Sequence, residues 1–396
     1  MIDRNALFGL LLTPDPAPGI VAAVLRGGKI ADAAAVGARV VEPPWPLATS
    51  TKMRIASLSK LPVAYGVLKL VEQRKLKLNG PADGALGFAL RNPAFPDQPI
   101  TLMHLLTHTS GMRDGEVYWG TLGERIEEFF TPGTERWENG ARWDRAHAPG
   151  AYFDYCNLAY GVIATMIERV TGQRFDLYMH EQVFAPLDLT CGYNWSEVPN
   201  EDIVFGGALY RRKGEAWAVQ IDGPAPDNRK VGPGFAKPGA TLAAYKPGDH
   251  GSLYSPQGGL RASITEVATL LAQLAPKLTR PDLLRGPTLA NMTREAVRWE
   301  GAGGEYLKLF RAWGLGCQAL PVEPFKLPGQ TRTLYGHTAE AFGLVGAGWI
   351  DPASGNGFCY LVTGGPPEDT PRAKTDTGLY QVEDALMRLL AGYAFG

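Results

Sequence analysis

Ser57-Leu58-Ser59-Lys60 sets a hydroxyl and an amine three residues apart. At the start of a helix that spacing puts both side chains on one face, within hydrogen-bonding reach. A serine alcohol is almost fully protonated at neutral pH, so it attacks a carbonyl only when a neighbouring group takes its proton. An amine that is desolvated or flanked by cations gives up its own charge and can be that group. The chemistry indicated is acyl transfer through a covalent intermediate on Ser57. Taken alone, the pattern is equally what a helix-capping serine followed by a solvated lysine produces, and chance supplies such a pair in most chains of this size.

Two further stretches raise the odds. Tyr155-Cys156-Asn157 follows Pro149-Gly150 and precedes a helical pattern, which places a phenol and an amide at the mouth of a turn. A phenol beside a lysine ammonium ionises more readily, the two titrating as a coupled pair, so Tyr155 is a candidate proton shuttle. The Asn157 amide can orient Lys60 or hold a substrate carbonyl. Tyr335-Gly336-His337-Thr338-Ala339-Glu340 is read as a strand with small residues around it, leaving room for a substrate along its edge. Its backbone N–H groups, joined by that of Ser57, would form an oxyanion hole. Singly, Tyr155 also fits a core aromatic and His337 a structural histidine. His108 is read as turn and helix packing rather than catalysis, and Cys156 as a packing neighbour with no histidine placed to activate it.

The elements that must position these groups are partly visible. Ile20 to Lys29 is a β-branched apolar run closed by Gly27-Gly28, and Ala31 to Val41 follows at hairpin distance, so an antiparallel pair is predicted. Leu61, Ala64, Tyr65, Leu68, Val71 and Glu72 recur at helical spacing, predicting a helix over 57–78 with a kink or a late start at Pro62. Helices are also predicted near the N-terminus, over Leu158 to Val170 with Gly172 as its stop, over Thr265 to Ala275, and from about Leu379 to Tyr393. Strands are predicted near Tyr335 to Val345, Val345 to Ile350 and Phe358 to Val362. Residues 200–255, rich in Gly and Pro, read as a long irregular excursion.

The order Ser-x-x-Lys, Tyr-x-Asn, then a His-Thr strand resembles the β-lactamase-related serine hydrolases, which include class C β-lactamases, D-alanyl-D-alanine carboxypeptidases and similar esterases. The resemblance spans roughly residues 18 to 393. It is carried also by Arg54 to Lys60, Leu105 to Gly111, Pro149 to Asn157, Phe184 to Leu187 and Ser255 to Leu260. It implies Ser57 as nucleophile, Lys60 and Tyr155 as the general-base pair, and Asn157 as a positioning amide. His337-Thr338 would stand in the place of a Lys-Thr-Gly strand motif, with the backbone N–H near Glu340 as second oxyanion donor. Two departures matter: His337 stands where β-lactamases carry Lys, and Ala339 replaces Gly with the acid Glu340 following. Both lean toward neutral esters or amides. An esterase or D-amino-acid peptidase is therefore the first reading, a β-lactamase the second, and a non-catalytic penicillin-binding-like sensor module the third.

The fold class is α/β (α+β): an antiparallel sheet flanked by helices, with an inserted helical lobe. At 396 residues two lobes are expected, 1–78 plus 258–396 as the sheet lobe and 79–257 as the mainly helical one, with the catalytic cleft between them. With 39 Lys+Arg against 40 Asp+Glu the net charge is −1, which supplies no basic field for nucleic acid. No apolar stretch approaches a membrane span. Partners reduce to a small-molecule ester, amide or peptide substrate, with no metal or organic cofactor required and the oligomeric state unspecified. Four cysteines without C-x-x-C spacing fix no compartment. The first 19 residues do not read as a secretory leader, which favours the cytoplasm, or the periplasm or secretion had a leader been trimmed. Substrate choice is assigned to residues 113–148 and 200–255, where Trp119, Trp137, Trp143 and Trp217 lie. Packing is the expected role of Trp137 and Trp143, and a place on the cleft is the alternative.

Overall fold

The structure, a computed structural model, describes residues 1–12, 16–232, 236–275, 283–298, 311–323, 326–365 and 378–396. The apolar run at 20–25 forms β1 (Gly19–Arg26), which turns at Gly27-Gly28 into β2 (Lys29–Val40). Successive side chains of β1 enter two different cores, Val21, Ala23 and Leu25 on one face and Ile20, Ala22 and Val24 on the other. That explains an unbroken hydrophobic stretch where one solvated face would have given alternation.

β1 pairs antiparallel not only with β2 but with β10 (Gly357–Val362) from the far end of the chain, in the register Ile20 to Val362. From there the order runs through β9 (Leu344–Ile350) and β8 (Leu334–Ala341) to β7 (Gln318–Leu320), within a sheet of nine strands among the described residues. One face is covered by α4 (Ile264–Ala272), whose start is fixed by a reciprocal Ser263 and Glu266 capping box. The other face is covered by α5 (Gln381–Phe395), with α1 (Arg4–Leu10) beside it.

The helix expected over 57–78 is shorter. A 3-10 turn occupies Ala56–Ser59, α2 runs Lys60–Glu72, and Arg74 at φ +60° ends it in the left-handed region. Pro62 is tolerated because the first amides of a helix have no intrahelical acceptor. α3 (Leu158–Thr171) is stopped by Gly172 at φ +70°, as its sequence predicts.

The excursion read over 200–255 is corrected in part. It contains a hairpin, β4 (Leu209–Lys213) and β5 (Ala216–Ile221), turning at Gly214-Glu215 and anchored by parallel pairing of Tyr210 to Gly364. Residues 233–235 of that segment lie outside the described residues. No helix among the described residues is long and apolar enough to cross a membrane.

Candidate active site

Ser57 is set by a short ladder and a strained turn. β3 (Met53–Arg54) pairs with β6 (Leu260–Ala262), and the ladder is extended by Ile55 N donating to Leu260 O at 3.0 Å. Ala56 then takes φ +47°, a left-handed conformation costly for a residue with a Cβ, and the chain enters the 3-10 turn that carries Ser57. Ser59, fully buried, pins the turn from behind. Its Oγ accepts from Leu260 N at 3.1 Å and its carbonyl from the Tyr193 hydroxyl at 2.7 Å.

Lys60 is fully buried, and its ammonium donates to three acceptors. These are Ser57 Oγ at 3.1 Å, Asn157 Oδ1 at 2.8 Å and the Gln257 carbonyl at 2.8 Å. Burial pushes its pKa down to about 7, Asp114 and Cys156 pulling back toward the charged form and Arg54 adding to the depression. Near neutral pH a large share of Lys60 is therefore the free amine. Two of its N–H bonds remain directed at the Asn157 and Gln257 carbonyls, so the lone pair created by proton loss faces Ser57 Oγ. The Tyr155 hydroxyl donates to the same Oγ at 3.1 Å, and the Lys60 Nζ lies 5.0 Å from the centre of the Tyr155 ring.

Behind this cluster stands Asp114. Its Oδ2 accepts from Asn157 Nδ2 at 2.7 Å and its Oδ1 from the Leu158 amide at 2.9 Å, a carboxylate seated at the start of α3 where the helix dipole favours it. Asn157 is thereby locked with its oxygen toward Lys60. Replacing Asp114 by Asn removes the negative charge that favours the Lys60 ammonium. The acid limb of the pH–rate profile is expected to move to lower pH, with kcat reduced through the loosened Asn157. A limb that stays in place would rule out this coupling.

The strand at 335–340 is present as β8, and its residues divide by face. His337 is fully buried among Tyr155 and Trp313, with ring centres 6.2 and 5.7 Å away. Burial, with Lys60 nearby, lowers its pKa to about 3, so it is neutral; its Nδ1 bonds the Thr338 carbonyl and its Nε2 has no partner among the described residues. Thr338 is buried, its N–H donating to Gln318 Oε1 at 2.8 Å and its hydroxyl bonded to the same side chain. The β7 backbone stops pairing at Gly336, so Gln318 completes the ladder with its amide. Glu340, two residues on, directs its N–H to the same side as Thr338. Its carboxylate accepts from the Tyr380 hydroxyl at 3.3 Å. Ala339 is buried on the His337 side.

A family model described as beta-lactamase matches residues 10–381. The chain belongs to that family, the serine hydrolases that its sequence resembles. Among curated proteins, the D-alanyl-D-alanine-carboxypeptidase/endopeptidase AmpH of Escherichia coli (strain K12) is 31% identical over 137 residues, 35% of each chain. Esterase EstB of Burkholderia gladioli is 32% identical over 202 residues, 48% of this chain and 50% of the relative. The chain thus spans about a third to a half of the length of these curated relatives. Among solved structures, the D-amino acid amidase of Ochrobactrum anthropi SV3 superposes with a TM-score of 0.68 at 17% identity, covering 98% of both chains. A class C beta lactamase from Rhodobacter sphaeroides gives 0.65 at 18%, covering 99% and 98%. At such identity these structures speak for the β-lactamase/transpeptidase-like fold.

Within this beta-lactamase family chain the structure brings Ser57, Lys60, Tyr155 and Asn157 together and sets β8 behind them. The four residues that sequence reasoning passed over are Asp114, Gln257, Gln318 and Tyr380. Gln257 lay in a stretch already singled out, but its contribution is a backbone carbonyl, which no side-chain pattern announces. Asp114, flanked by Gly111 and Gly115 after the His108 stretch, had only its turn setting as a signal. His108 is a buried packing group, as expected, and it stacks directly on Tyr155 with centres 4.4 Å apart. Cys156 is buried and its thiol is held well above its ordinary pKa by desolvation, which leaves it protonated and inert. Trp143 is a core residue, and Trp137 packs against the same core.

Proposed function

We propose that this chain is a serine hydrolase that forms an acyl-enzyme on Ser57 and hydrolyses a small ester or amide, with an esterase or D-amino-acid peptidase as its first form. The observation that carries the reading is the aim of Lys60: two carbonyls hold two of its N–H bonds, and the third position faces Ser57 Oγ. Neutral Lys60 takes the Ser57 proton as Oγ bonds to the substrate carbonyl carbon. The charge that develops on the carbonyl oxygen is met by the backbone N–H groups of Ser57 and Glu340. Tyr155, hydrogen-bonded to Oγ, relays the proton from the Lys60 ammonium to the departing oxygen or nitrogen. Water, deprotonated by the same pair, then releases the acid and restores Ser57. In this reading the edge of β8 takes the substrate, with Asn157 holding its carbonyl side. His337, Thr338 and Ala339 shape that edge.

A neutral His337 supplies no fixed cation at the position where β-lactamases carry lysine, which supports esters and amides over β-lactams. The names of AmpH and EstB, a peptidase and an esterase, point the same way. A two-lobe arrangement with 79–257 as the inserted lobe belongs to the same proposal. Brief treatment with a fluorophosphonate followed by peptide mass spectrometry is expected to place a single phosphonyl group on Ser57. Absence of labelling, or a label on another serine, would overturn the reading and move the inert sensor module to first place.

A further inference from the structure

A cavity of about 650 Å³ lies beside the catalytic cluster, its walls including Arg54, Tyr118, Trp119, Asp222, Gln257 and Phe342. Ser57, Lys60 and Tyr155 do not line it. It meets them at Gln257, a residue of the cavity wall whose backbone carbonyl holds Lys60.

Arg54, the last residue of β3, is 9% exposed, and its guanidinium lies over the Phe342 ring with 4.7 Å to the centroid. The carboxylate whose charge acts on Arg54, Asp222, is already committed. It takes Arg261 through Nε and Nη2, both at 2.9 Å, and the Trp195 indole N–H at 3.0 Å. Among the described residues Arg54 Nε has no hydrogen-bond partner and Arg54 joins no ion pair. Gln257 Oε1 is likewise buried without a partner among the described residues. Exposed Lys230 also lines the cavity, so among the described lining residues Arg54, Arg261 and Lys230 stand against one acid, Asp222. A buried cation without a counter-ion is costly, and a ligand that supplies the missing anion recovers that cost. Burial first, then Arg261, depresses the Arg54 pKa to about 9, the direction expected of a cation short of negative charge. A guanidinium covered on one face by an aromatic ring keeps its N–H fork for a planar, two-oxygen acceptor.

We propose that this cavity binds a carboxylate carried by the substrate away from its scissile bond, with Arg54 as the recognition residue and Lys230 as an exposed steering charge. The inference rests on the hydrolase reading for the word substrate and narrows its class to anionic esters or amides. The cation that β8 lacks at His337 is supplied from β3, where Arg54 lies against Phe342 in the turn that follows β8.

The test measures binding to the full chain carrying Ser57→Ala, so that no ester is consumed. Calorimetric titrations compare phenyl hydrogen glutarate with phenyl pentanoate, and 4-(butanoyloxy)benzoate with its methyl ester, placing the carboxylate on the acyl or the alcohol side. In at least one pair the anionic member is expected to bind about tenfold tighter or more, as one charge-assisted hydrogen bond would give. Adding Arg54→Gln is expected to bring that ratio close to one. Lys230→Glu, at an exposed position, is expected to lower it several-fold, and it serves if the Arg54 variant does not fold. Equal affinities within both pairs, or a preference that survives either substitution in folded protein, overturns the assignment. Because the readout needs no turnover, failed fluorophosphonate labelling would sink the hydrolase reading while leaving this binding result to stand or fall by itself.

Discussion

Ser57→Ala is expected to lower kcat/KM for every accepted ester or amide by on the order of 10⁵, with the thermal unfolding midpoint little changed. The loss is large because Ser57 Oγ is the atom on which the proposed chemistry converges. It receives hydrogen bonds from Lys60 and Tyr155, the Lys60 amine is tethered to the Asn157 and Gln257 carbonyls with its remaining position on Oγ, and Cys156 is a buried, protonated thiol. The residue left in place still presents its backbone N–H, so a remnant of oxyanion stabilisation persists and activity does not fall to the rate in water. The fold should hardly notice. Ser57 is half-buried, and its removal leaves Lys60 with the Asn157 and Gln257 acceptors. Groups that act as a unit are not additive, so Ser57→Ala combined with Lys60→Met should be no slower than Ser57→Ala alone. A steady-state assay on an activated ester settles the matter. Retention of more than about a hundredth of the wild-type rate in carefully purified variant would mean that Ser57 is not the nucleophile.

The parts of this arrangement that a reader of the sequence could see are those set by local periodicity. Ser57 and Lys60 fall on one helical face, the Leu158 helix ends at a glycine, and the run at 20–25 has the length and β-branching of a strand. Contacts across long stretches of chain were not visible. Lys60 reaches a carbonyl 197 residues away, and Thr338 is capped by a glutamine 20 residues earlier. Both depend on how strands and turns are brought into register, which no local pattern encodes. The pattern runs past the end of α2 because Arg74, Lys75 and Lys77 prolong the amphipathic spacing, whereas the backbone leaves the helix before a left-handed Arg74. The 200–255 segment does carry a local hairpin signal. Gly214-Glu215 stands between Tyr210-Arg211-Arg212-Lys213 and Ala216-Trp217-Ala218-Val219, a two-residue turn between β-prone runs. Gly/Pro content around it obscured the hairpin. The strand at 335–340 was legible as a strand, but not which of its residues would be tied down: Thr338 spends its hydroxyl on Gln318, and His337 turns inward on Tyr155.

Lys60→Met is expected to cost on the order of 10⁴ in kcat/KM and to change the pH dependence of what remains. In the wild type the reactive form is the neutral amine, so activity should rise as pH increases through about 7, the value to which burial depresses Lys60. That limb should vanish with the amine. Lys60→Arg separates the base from the charge: a guanidinium keeps the cation next to Asn157 but cannot shed its proton, and it should be as slow as methionine. If arginine instead restored activity, Lys60 would be an electrostatic anchor and the base would have to be sought at Tyr155. The same pKa shift has a consequence for stability. Unfolded Lys60 returns to its ordinary value of 10.5, so between about 7 and 10.5 the unfolded chain binds more protons than the native one. This contribution is fully present above the unfolded value and is lost as pH falls through the folded one, so wild-type stability should rise with pH across that window. Urea titrations of Lys60→Met should show a flatter dependence there. A wild-type slope that survives the substitution would show that the lysine is not held as a buried, depressed amine, and the base assignment would fall with it.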